Sequence, residues 1–142
     1  MYKDDTIFLL SVEEYKKYKN RIPSINCWWW LRSPGDSSSY AAGVYSSIYN
    51  SGAVDAGGLS VYRNDGAVRP ALKFSNPDWF SDSGKKYKIG DRIIAYQFPW
   101  IIIDEDLAIA EVPIAFHEFD SNSNDYETSK IRQFLLNWIK ER

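Results

Sequence analysis

The feature that most constrains this chain is a pair of apolar brackets around a polar insert. Cys27-Trp28-Trp29-Trp30-Leu31-Arg32-Ser33-Pro34-Gly35 opens the insert and Gly66-Ala67-Val68-Arg69-Pro70-Ala71-Leu72 closes it. Residues 36–65 between them are dominated by Ser, Tyr, Gly, Ala and Asn. On a strand, Trp28 and Trp30 face one way and Trp29 the other. At least one of those faces must be core. The second either packs as well or offers a stacking platform for sugars or bases. Rigid apolar brackets around a polar, aromatic, small-residue insert are how a fold displays a recognition surface.

The flanking sequence predicts an α+β fold. Residues 7–10 read as a short buried strand. Ser11 then has the character of an N-cap, with Glu14 completing a capping box for a helix over residues 12–19 that ends before Pro23. Strands are predicted over residues 28–32, 40–46, 53–55, 59–62 and 67–73. A turn is expected at Ser33-Pro34-Gly35, and hairpin turns at Asn50-Ser51-Gly52 and Asn64-Asp65-Gly66. Residues 75–88 form a polar connector in which Trp79 and Phe80 tack the chain to the body. Beyond it, residues 91–97, 100–104 and 107–112 read as an antiparallel meander, with corners at Phe98-Pro99 and Asp104-Glu105-Asp106. Ile131, Phe134, Leu135, Trp138 and Ile139 keep helical spacing and predict a C-terminal amphipathic helix. Two helices and short, mostly antiparallel strands place the chain in the α+β class, with residues 1–142 expected to form one domain.

Bulk composition narrows the function classes. The net charge of -2 leaves no basic footprint for nucleic acid. One cysteine excludes an internal disulfide and a paired-cysteine zinc site. No long apolar span or signal h-region occurs, so a cytoplasmic or virion-associated protein with no membrane partner is expected.

Residues able to do chemistry are few. His117 beside Glu118 has the makings of a general base, but no nucleophile motif accompanies it, and a structural role is the better reading. Cys27 lies in an apolar run, which favours an inert packed thiol. Asp120-Ser121-Asn122-Ser123-Asn124-Asp125 begins like a calcium loop, but Asp125 and Ile131 stand where an EF-hand needs Gly and Glu. A solvated loop capping the last helix through Asn124 or Asp125 accounts for it. Arg32 and Arg69 each follow an apolar strand and precede a Ser-Pro or Pro turn. They are suited to an anionic ligand, yet such arginines more often bond carbonyls or a carboxylate of the fold. The acidic corner at residues 104–106 reads as a solvated face.

The insert carries Tyr40, Tyr45, Tyr49 and Tyr62 among serines, glycines and asparagines, the composition of a paratope. Tyr40, Tyr45, Tyr49, Asn50, Tyr62, Arg63 and Asn64 are the candidate contact residues. A β-rich region with edge strands kept short and polar against aggregation would have the same composition, and both readings stand.

Phe8-Leu9-Leu10-Ser11-Val12-Glu13-Glu14-Tyr15, the first bracket, the Ser/Tyr/Ala/Gly stretch and Ala67-Val68-Arg69-Pro70-Ala71-Leu72 together resemble an uncharacterised bacterial and phage domain family. That family has a C-type-lectin-like fold. It is similar to variable domains diversified by retroelements, including phage receptor-binding tip proteins, and more distantly to formylglycine-generating enzymes. Gly90-Asp91, Trp100-Ile101-Ile102-Ile103-Asp104 and Ile131-Arg132-Gln133-Phe134-Leu135 match segments that in the family precede the Phe8–Tyr15 element. The resemblance therefore implies a circular permutation with its junction in residues 75–88. One departure is Leu136, where the family motif has Asn. The calcium-lectin triplets and the oxidase cysteines are absent, so the resemblance implies neither calcium-dependent sugar binding nor oxidase chemistry. It implies a fold and a binding role, and the residues themselves lead us to expect no cofactor, metal or catalysis. A protein is the favoured partner and carbohydrate a second class. Two further readings are a phage or mobile-element inhibitor of a host enzyme or defence system, and an enzyme built on His117, Arg32 and Arg69.

Overall fold

The computed structural model describes residues 2–50, 52–74 and 87–142. Its first layer is a five-stranded antiparallel sheet in the order β1-β6-β9-β8-β7. These strands are β1 (Ile7–Phe8), β6 (Ala71–Lys73), β7 (Arg92–Ala95), β8 (Phe98–Asp104) and β9 (Leu107–Ala110). A second five-stranded sheet runs β10-β5-β2-β3-β4. It holds β2 (Trp29–Pro34), β3 (Tyr40–Val44), β4 (Val54–Ser60), β5 (Ala67–Val68) and β10 (Ala115–Phe116). The β2–β5 pair is parallel and every other pair in this sheet is antiparallel. The helices are α1 (Val12–Tyr18), the one-turn α2 (Ser47–Asn50) and α3 (Lys130–Lys140). The α+β class read from the sequence is the one observed.

Strand alternation divides the core. Ile7, Leu9, Trp30, Val68 and Trp100 bury themselves with Phe119, Tyr126 and the α3 residues Ile131, Leu135 and Trp138. Phe8, Leu10, Trp29, Leu31 and Ala67 do so with the α1 residues Tyr15 and Tyr18. Strand residues of alternating parity thus face α3 and α1 in turn. α1 starts on the expected capping box: Glu14 N–H donates to Ser11 Oγ at 3.1 Å and Ser11 N–H donates to Glu14 Oε1 at 2.9 Å.

The structure corrects several boundaries. β2 runs through Pro34, where a turn was expected. Its only pairing with β5 is at Trp29, so Pro34 has one neighbouring strand and its missing N–H leaves no ladder bond unmade. The strand predicted over residues 40–46 stops at Val44, because Ser47 N–H donates to Ile25 O at 2.7 Å and the chain winds into α2. The strands expected at residues 53–55 and 59–62 are the single strand β4. It carries a bulge: Gly43 opposes Asp55 while Ala41 opposes Leu59. Asn64-Asp65-Gly66 is no hairpin turn, since β5 pairs with β2 and β10 and not with β4. The strand predicted over residues 67–73 is cut at Arg69-Pro70, and its halves lie in different sheets. Phe98 and Pro99 lie within β8. The corner is Tyr96-Gln97, at φ 53° and 60°, the conformation of a two-residue hairpin turn.

Asn124 and Asp125 do not cap α3. Ser129 does, its Oγ accepting from Arg132 N–H at 3.1 Å, and Asp120 Oδ1 accepts from Lys130 N–H at 3.1 Å. Of residues 75–88, only Tyr87 and Lys88 are described, so the connector and its Trp79-Phe80 tack lie outside the described residues. Among the described residues, no helix is long and apolar enough to cross a membrane.

Candidate binding cleft

Two interlocks hold the brackets. Arg32 Nη1 donates to Leu9 O at 2.7 Å and to Glu14 Oε1 at 2.5 Å. Ser33 Oγ accepts from Val12 N–H at 2.9 Å, so the Arg-Ser pair of the first bracket locks the start of α1. Burial pushes the Glu14 carboxyl up, but the Arg32 and Ser11 hydrogen bonds outweigh it and the net shift is downward. Arg69 is 0% exposed. It donates to Ala110 O at 2.7 Å and Pro23 O at 2.8 Å, reaches Glu111 O at 3.5 Å, and stacks over Trp29. Burial lowers its pKa to about 10, still well above neutrality. Arg69 thus pins the point where the chain leaves one sheet for the other. Both arginines bind the fold.

His117, Arg32 and Arg69 do not converge. The His117 ring lies on Phe134, 4.8 Å between centroids, with Nδ1 2.6 Å from Glu118 O. Cys27 is part-buried, and burial raises its thiol pKa, away from the nucleophilic thiolate. Among the described residues no group of three His, Cys, Asp or Glu could hold a metal ion. Asp120 Oδ2 accepts from the backbone of Asn122 and Ser123.

The insert instead borders a cleft of about 160 Å³, lined by Trp28, Gly43, Val44, Tyr45, Asp55 and Leu59 together with Ser46 and Arg63. Trp29 and Trp30 are 2% and 0% exposed, while Trp28 is only part-buried. Trp28 packs edge-on against Trp30, 4.7 Å between centroids, and the Arg63 guanidinium lies 5.2 Å from its ring centroid. Arg63 is held by a two-point pair with Asp65, Nε–Oδ1 3.0 Å and Nη2–Oδ2 2.6 Å. Those bonds hold the Asp65 carboxyl below its usual range against a smaller effect of burial. Gly66 makes the arrangement possible: a Cβ there would stand 2.1 Å from Trp30 Nε1 and 2.7 Å from Trp28 Cη2. Asp55 comes from the bulged edge strand, where its Oδ1 accepts from Gly58 N–H at 3.0 Å. Gly58, at φ 92°, lies so close to Ala41 that a Cβ would be 2.6 Å from the Ala41 carbonyl oxygen.

Of the sequence-predicted contact residues, Tyr45 and Arg63 line the cleft. Tyr62 is 63% exposed, and Asn64 is exposed in the same turn. Tyr40 is 40% exposed at the start of β3. Its carbonyl accepts from Asn124 Nδ2 at 3.1 Å, which clamps the 120–125 loop to the insert. Tyr49 and Asn50 close α2, and their side chains lie outside the described residues. Sequence reasoning missed Asp55, Leu59 and the wall formed by Trp28. Trp28 left a signal in the parity that separates it and Trp30 from Trp29, and Asp55 and Leu59 left only the Gly57-Gly58 pair between them. No known protein family, curated protein or solved structure matches the chain.

Proposed function

We propose that this chain is a binding module that recognises another protein through the insert surface, and that it acts by binding and not by catalysis. One observation carries the reading. The insert does not simply tile a sheet edge but borders an apolar cleft with one wall from the tryptophan bracket. An aromatic-walled concavity with a tyrosine, Tyr45, in its lining has the anatomy of an interface hot spot. The β4 edge favours side-chain recognition over strand addition. It is bulged, and Asp36 N–H already donates to Gly57 O at 2.8 Å.

We further read the fold as C-type-lectin-like and circularly permuted. Support comes from α3, which packs beside β1, the strand it would lead into in the relatives. The N-terminal residues themselves meet the start of α3 and the turn before it. Tyr2 packs edge-on against Tyr126 at 4.9 Å, and Lys3 pairs with Glu127. Arg132 grips Asp5 at two points, 2.9 and 3.1 Å.

The test is capture of a protein from host lysate by the immobilised chain, beside Tyr40→Ala, Tyr45→Ala and Tyr62→Ala variants, with a melting curve for each. At least one variant should lose ~2 kcal/mol or more of binding, with Tm nearly unchanged. Affinity losses that track stability losses throughout would make this surface scaffold only.

A further inference from the structure

The cleft's charges point to the chemistry of its occupant. Its lining is mostly apolar, and two charged side chains reach it, Asp55 and Arg63. Arg63 is neutralised by Asp65 through two hydrogen bonds. Asp55 accepts one backbone N–H, at Oδ1, and no cation pairs with it among the described residues. Residues 36–65 hold three aspartates and one arginine, a net -2. The unpaired charge at the cleft is therefore negative. Trp28 already has a guanidinium over its ring, so its π-face suits cations.

Resting on the reading of this surface as a protein-binding one, we propose that the cleft takes a basic side chain of the partner, an arginine or lysine, as its anchor. The aliphatic stem lies along Leu59, Val44 and Trp28, and the cationic head meets Asp55. A long basic side chain is apolar along its length and charged at its tip, which matches an apolar cleft with a carboxylate at one side. A cleft of about 160 Å³ has room for one such side chain. An anionic anchor would face Asp55 unscreened, and a purely apolar one would bury that carboxylate without a partner, which is unfavourable.

The experiment uses two capped tripeptides, Gly-Arg-Gly and Gly-citrulline-Gly, which share shape and differ in charge. Each is titrated into the ¹⁵N-labelled chain while the Trp28 indole and Gly43 amide signals are followed. The arginine peptide should shift both signals, and the citrulline peptide should bind ~10-fold more weakly or not at all. Asp55→Asn should abolish the preference. Asn retains the Oδ1 acceptor for Gly58 N–H, so the bulge should persist, and spectral dispersion checks this. Arg63→Gln frees Asp65 and should tighten arginine binding several-fold. Equal binding of the two peptides would overturn the cationic anchor and leave the cleft standing as a docking site. No shift with either peptide would overturn the anchor, while the tyrosine variants above judge the wider surface independently. Weaker arginine binding in Arg63→Gln would mean that Arg63 recruits an anion, and would also overturn the proposal.

Discussion

Arg69 and Arg63 are six residues apart and do opposite work. Arg69 is fully buried and reaches carbonyls at Pro23 and Ala110, far away in the chain. Arg63 is exposed and pairs with Asp65, two residues on. The first ties distant segments into one body; the second shapes its own turn. The brackets behave like Arg69 throughout: Arg32 joins residues 9 and 14, and Trp30 Nε1 donates to His117 O at 2.9 Å. At the rim of the insert the ion pair is local, Arg63 to Asp65, although Asn124 holds the backbone of Ser37 and Tyr40 from a distance. Buried long-range side-chain bonds mark the scaffold, and exposed side chains the display surface.

The largest expected difference lies at Arg69. Arg69→Met should destabilise the fold by about 3–5 kcal/mol in denaturant titration, because buried carbonyls lose a charged donor. Arg69→Lys should not restore it, since an ammonium cannot span carbonyls that a planar guanidinium bridges. A loss near that of an exposed arginine would erase the contrast between the two regions.

The boundary between scaffold and display runs through the triple tryptophan. Trp30→Ala should cost about 3–5 kcal/mol and Trp28→Ala distinctly less, since one indole is buried and the other forms a cleft wall. Gly66→Ala should cost about 1–3 kcal/mol by overpacking both rings. Equal losses at Trp28 and Trp30 would move the cleft wall into the core.

A smaller effect separates the regions by pH. Glu14 has a depressed pKa in the folded state, so its contribution is fully present above the ordinary value of 4.5 and is lost as pH falls below it, through the folded value. Glu14→Gln should lower stability at pH 7 by roughly 1–2 kcal/mol and flatten that part of the acid profile. An unchanged acid profile would mean that the Arg32–Glu14 interlock contributes nothing.

What the sequence made legible were features set by neighbours. The Ser11–Glu14 capping box and the α3 stripe depend on residues three or four apart. The β7–β8–β9 meander needs only short connections. What stayed hidden was set by distant contacts. Pro34 belongs to a strand only because a single strand flanks it there. Residues 47–50 coil because Ile25 takes the Ser47 N–H. Ser129 displaces Asn124 and Asp125 as the α3 cap because Asn124 is drawn to the backbone of Ser37 and Tyr40. At the site, the tyrosine-rich composition pointed to the stretch that holds the cleft, but the cleft depends on the β4 bulge that brings Asp55 and Leu59 beside Trp28. Two adjacent glycines, Gly57 and Gly58, are its only trace in the sequence.

The most direct test compares two melting temperatures. A triple variant, Tyr40→Ser, Tyr62→Ser and Arg63→Ser, removes three exposed side chains of the insert at once, and Arg69→Met removes one buried side chain of the bracket. The triple variant should shift Tm by less than about 5 °C, and Arg69→Met should lower it by more than about 10 °C. A triple variant that melts as low as Arg69→Met would show that the insert rim is part of the scaffold, and would contradict the division drawn here.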